Sequence, residues 1–78
     1  MRLKVMQCII TFHSTTEAMQ FEQAAKDAFL GGRIIPVPRE LTAGCGLAWK
    51  GELSAREALE QLIRIQHLGY DRIEEMLL

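Results

Sequence analysis

The chain has 78 residues, 49% of them hydrophobic, with nine Lys/Arg against ten Asp/Glu and a formal charge of −1. A chain of this size buries only about 60–65% of its unfolded surface and cannot support two cores, so a single domain over residues 1–78 is expected. Charges of both signs spread along the chain form no basic patch able to neutralise several phosphates, which argues against nucleic acid as a partner.

The start, Met1-Arg2-Leu3-Lys4, is weakly basic and leads into Val5-Met6-Gln7-Cys8-Ile9-Ile10. This apolar run is short, contains Gln7 and has no small-x-small cleavage pattern, so it does not read as a secretory signal. No run approaches the roughly 18 apolar residues of a membrane span, and a soluble, cytoplasmic protein is expected. Two cysteines without a signal peptide or disulfide spacing suit free thiols in a reducing compartment.

Gln7 to His13 alternates, with Cys8, Ile10 and Phe12 on one face and Gln7, Ile9, Thr11 and His13 on the other, which predicts a half-buried strand. Ser14-Thr15-Thr16-Glu17 then forms a capping box, in which the serine oxygen accepts from the backbone and the glutamate reaches back. A helix of about four turns should follow, burying Ala18, Phe21, Ala25, Ala28 and Phe29 and stopped by Gly31-Gly32.

Arg33 to Val37 reads as a short strand. Pro36 and Pro38 cannot donate to a ladder, so it belongs at a sheet edge. Leu47-Ala48-Trp49-Lys50 reads as its antiparallel partner, with Trp49 packed on the sheet. Ser54-Ala55-Arg56-Glu57 offers a second capping box, leading into a helix that buries Ala58, Leu59, Leu62, Ile65 and Leu68 and is closed by Gly69. Tyr70 to Leu78 supplies a last strand, in which Glu74 and Glu75 read as a solvated edge. The order β-α-β-β-α-β is that of the α+β ferredoxin-like sandwich, an antiparallel sheet with two helices on one face.

In that topology the third strand runs back between the first two, and the fourth pairs with the first on its other side. Cys45, between Gly44 and Gly46, therefore falls at the sheet end where the first strand finishes, beside His13, Ser14 and Thr15. Flanking glycines lack the Cβ atoms that would shield a sulfur, so exposure of Cys45 is expected. A helix N-terminus and turn amides nearby would favour a thiolate, and Arg39 would either add a charge partner or remain a solvated loop cation.

Cys8 is about five strand residues from His13, on the order of 17 Å, so a Cys8–Cys45 disulfide is not expected. Cys8 reads as an inert core residue. His13 reads as a strand-end residue and His67 as a solvated one on the polar face of the second helix. Two histidines and a lone cysteine in no ligand spacing argue against a zinc site, and no metal is assigned.

Ile35-Pro36-Val37-Pro38-Arg39-Glu40-Leu41, followed by Cys45-Gly46-Leu47-Ala48 and preceded by Phe12-x-Ser14-Thr15 and Ala18, resembles a family of small bacterial selenium/sulfur carrier-like proteins. Sulfur-transfer proteins of another type place Cys-Pro-x-Pro ahead of a helix, whereas here Pro-x-Pro precedes the cysteine, so kinship with those is not assumed. The resemblance implies a carrier that holds sulfur or selenium on Cys45 as a persulfide or selenosulfide. Gly44, Gly46, Arg39, Ser14 and Thr15 would support that site. A desulfurase-like donor and an acceptor enzyme would be its protein partners, with no bound cofactor and no catalysis of its own.

A different class of function stays open at this point. A ferredoxin-like interaction or regulatory module would bury the open sheet face, carrying Ile9, against a copy or another domain, which makes a homodimer the expected state. An enzyme in its own right is the weakest reading, since no base, metal set or phosphate loop is evident and 78 residues leave little room for a pocket.

Overall fold

The alternating run at the start becomes β1 (Met6–Thr11), and in the computed structural model, which describes residues 3–41 and 45–78, it is a central strand. The elements that follow are α1 (Thr15–Asp27), β2 (Arg33–Pro36), β3 (Leu47–Glu52), α2 (Arg56–Gln66) and β4 (Arg72–Leu77), with a 3-10 turn at Leu53–Ala55 before α2. The sheet order is β2-β3-β1-β4 with every neighbouring pair antiparallel, the α+β ferredoxin-like arrangement. Both proline-bearing β2 and acidic β4 are edge strands, as their compositions require.

The helices cover one face. Cys8, Ile10 and Phe12 from β1 and its end meet Ala18, Phe21 and Ala25 of α1, Leu59 of α2 and Trp49 of β3 in one buried cluster. Phe21 stands between Phe12 and Trp49, with ring centroids 5.5 Å from each in tilted and edge-on geometries that favour aromatic pairs. Truncating Phe21 would therefore cost roughly 3–5 kcal/mol.

The other face is not the open apolar surface that alternation predicts. Ile9, Thr11 and Ala48 are fully buried within the single chain. The cross-strand partners of Ile9 are Lys50 and Glu74, and Thr11 faces Ala48 and Arg72, so long side chains flank this apolar centre and their stems can cover it. A homodimer through this sheet face accordingly loses its basis.

Both helix ends differ from expectation for one reason. α1 stops at Asp27, and the left-handed residue that ends it is Phe29 (φ 59°), with Leu30 N–H donating to Ala25 C=O and Phe29 N–H to Lys26 C=O. Ala28 and Phe29 thus lie beyond the helix and are exposed, while Ala24 joins the buried face. α2 likewise ends on left-handed His67 (φ 53°), not on Gly69. The glycines serve close approach instead. A Cβ on Gly32 would overlap the Trp49 ring, and one on Gly69 would lie 2.6 Å from Glu17 Oε2.

The second capping box does not form. The N-cap of α2 is Ala55 with no side-chain cap, and the Ser54 hydroxyl donates to Glu52 at 3.4 Å. The buried face of α2 uses Leu59 with Leu62 and Ile63, whereas Ala58 and Ile65 are exposed because each lies about 100° or more around the axis from Leu59. No helix among the described residues is long and apolar enough to cross a membrane.

Candidate functional site

The antiparallel register sets the two thiols apart. Thr11 pairs with Ala48 and Cys8 with Gly51, so the residues just before β3 return to the C-terminal end of β1 while Cys8 stays within the ladder. Cys45 thereby reaches the junction of β1 and α1, and its Sγ lies 3.7 Å from Phe12 C=O. The topology brings the sulfur to Phe12, at the end of β1.

Within that junction the sulfur is held by backbone. It lies 3.5 Å from Leu47 C=O and accepts from Leu47 N–H at 3.4 Å, so it has partners both as a donor and as an acceptor. Cys45 is half-buried, packed on the core cluster beside Leu47 instead of being openly displayed. Gly46 takes φ 75° with open space around it, a conformation that glycine allows without strain. Gly44, the other flanking glycine, lies outside the described residues.

The remaining supporting residues have their own partners. Ser14 caps α1 by accepting from Glu17 N–H at 3.2 Å, so its hydroxyl serves the helix. Thr15 opens α1 and is exposed. The amide on the sulfur comes from the start of β3, not from α1. Arg39 and Glu40 are exposed at the tip of a turn closed by Leu41 N–H to Pro38 C=O, and the hydrogen bonds of the sulfur run to Phe12 and Leu47.

His13 is engaged where sequence reading left it a plain strand end. Its backbone N–H donates to Glu17 Oε1 at 2.7 Å, its Nδ1 lies 3.2 Å from the same oxygen, and its Nε2 lies 3.5 Å from Asp71 Oδ1. Glu17 therefore reaches back to His13 and not to Ser14, shifting the capping box by one residue. The i,i+4 spacing of His13 and Glu17 is visible in the chain, but Asp71 arrives only through the pairing of β4 with β1. No group of three or more His, Cys, Asp or Glu able to hold a metal ion occurs among the described residues.

Cys8 has the opposite surroundings. It is 0% exposed on the helix side of β1, and burial pushes its thiol above the ordinary value of 9.0, against the pull of Arg56 and with the help of Glu75 and Glu60. Arg56, at the start of α2, donates to Glu60 at 2.9 Å and to Glu75 at 2.6 Å, bonds that hold its guanidinium above its ordinary range.

A family model described as "Putative Se/S carrier protein-like" matches residues 7–75. The chain belongs to that family. The match runs from the first residues of β1 into β4 and includes both cysteines, the Pro36–Arg39 segment and the β1–α1 junction. No curated protein and no solved structure matches the chain. Within this Se/S carrier-like fold, Cys45 is the described thiol that is not sealed in the core.

Proposed function

We propose that the protein carries sulfur or selenium on Cys45 between two partner enzymes. The observation that carries this reading is the contrast of the two thiols: one closed in the core, the other half-buried just ahead of β3. Membership of the carrier-like family supports it.

The chemistry asks little of the chain. The Cys45 thiolate attacks the outer sulfur of a donor persulfide, such as a desulfurase supplies. A new S–S bond forms at Cys45 as the donor's S–S bond breaks, and the donor's inner sulfur leaves with the electron pair as a thiolate. Sulfur changes hands without net oxidation, and a nucleophile on the acceptor repeats the exchange. Catalysis belongs to the partners, and the carrier contributes a backbone-held thiol.

The test is intact-mass spectrometry after incubation with a desulfurase and cysteine, and in parallel with a selenium donor. One added sulfur or selenium atom, lost on reduction and mapped to Cys45, is the expected result. No uptake from any donor, or uptake on Cys8, overturns the reading.

A further inference from the structure

The peptide group between Phe12 and His13 is tied at both ends. Its carbonyl oxygen lies 3.7 Å from the Cys45 sulfur, and its N–H donates to Glu17 Oε1 at 2.7 Å. One planar, conjugated unit thus joins the thiol to a carboxylate on α1. That carboxylate is held in place. The Glu17 side chain is 25% exposed, His13 Nδ1 lies 3.2 Å from Oε1 and 3.4 Å from Oε2, and a Cβ on Gly69 would come within 2.6 Å of Oε2. Beyond the imidazole stands a second carboxylate, Asp71, with Oδ1 3.5 Å from His13 Nε2. The Ser14 cap uses the backbone N–H of Glu17, so the side chain carries no part of it.

The direction of the effect follows from the peptide dipole. An N–H bonded to an ionised acceptor is held more strongly than one bonded to a neutral acceptor, and hydrogen bonds in a chain polarise one another. The charge on Glu17 therefore draws electron density toward the Phe12 oxygen and strengthens its hold on the Cys45 S–H. That oxygen can accept only from the protonated sulfur, and toward a thiolate it turns a lone pair.

We propose that Glu17 is a positioning residue for Cys45: acting through the Phe12–His13 peptide, it sets the carbonyl on the sulfur and holds the thiol proton there. The role rests on the carrier reading, in which Cys45 is the loaded thiol, and it adds a restraint to that site. The sulfur must give up this bond before it attacks a donor.

The rate of Cys45 alkylation by iodoacetamide in the full chain, read by peptide mapping from about pH 6 to about pH 10, tests it. No sulfur donor is needed, so the result is separate from the loading experiment, and either can fail without the other. Glu17→Gln keeps an acceptor for the His13 N–H and removes the charge. Its profile should move to lower pH, with a reaction about threefold faster near neutral pH. Asp71→Asn removes a charge from the same His13 cluster but not from the peptide, and its profile should match the wild type. Cys8, closed in the core, should stay slow in every variant, which separates the effect from a loosened fold. A Glu17→Gln profile that coincides with the wild type overturns the proposal. So does an equal shift in Asp71→Asn, which would mark a general effect of charge, or a faster reaction at every pH with an unmoved midpoint, which would mark greater exposure alone.

Discussion

Cys8 and Cys45 are the same side chain in one small fold, and nearly everything about them differs. Cys8 lies in the middle of a strand paired on both sides, opposite Gly51 and Glu75, with its sulfur roofed by the helices. Cys45 lies three residues before the first paired position of β3 with β1, Ala48, where the ladder has ended and the sulfur bonds to backbone instead. Reactivity in a thiol is decided by what can approach it and what satisfies it, and position along a sheet sets both.

Removing the thiols one at a time sharpens that contrast most. Cys45→Ser should abolish loading from a persulfide donor with the fold intact by circular dichroism, whereas Cys8→Ala should fold less stably yet load normally. Loading that survives in the Cys45→Ser protein would erase the distinction.

Next in size is the rate of alkylation of the native protein. Labelling Cys8 requires opening of a central strand, so Cys45 should react faster by about 100-fold or more, with the gap closing in denaturant. Equal rates in the native state would mean that β1 is not where the register puts it. Peptide mapping of partly labelled protein reads both sites in one experiment.

The buried thiol should also show itself in the pH dependence of stability. Folding raises the affinity of Cys8 for its proton. The folded state therefore keeps the proton when the unfolded thiol begins to ionise near 9.0, and the contribution to stability, complete below that pH, is lost as the pH rises toward the folded value. Urea unfolding above about pH 9 should show a loss of up to about 1.4 kcal/mol per pH unit from this group, absent in Cys8→Ala. An unchanged slope in that variant would deny the burial effect.

The smallest effect concerns Ser14, at the start of α1, whose hydroxyl serves the helix. Ser14→Ala removes the α1 cap and should cost about 1 kcal/mol of stability while leaving loading through Cys45 unaltered. A marked loss of loading with little change in stability would place the hydroxyl at the sulfur after all.

What the sequence determined by itself was the order of elements, the edge positions of β2 and β4, the burial of Cys8 and the arrival of Cys45 beside the β1–α1 junction. These rest on local signals: apolar period, proline's missing donor, and the short connections that leave few topologies for a β-α-β-β-α-β chain. Tertiary structure alone decided how each signal was spent. The Gly31-Gly32 and Gly69 signals read as helix stops, but Gly32 and Gly69 are occupied in admitting the Trp49 ring and the Glu17 carboxylate, and Phe29 and His67 take the left-handed turns. Alternation along β1 marks one dry face, yet both are dry, because strands on either side bring Lys50, Arg72 and Glu74 across Ile9 and Thr11. The carbonyls and the amide that hold the Cys45 sulfur belong to the backbone, which carries no residue signature, so only the register of β3 against β1 could place them.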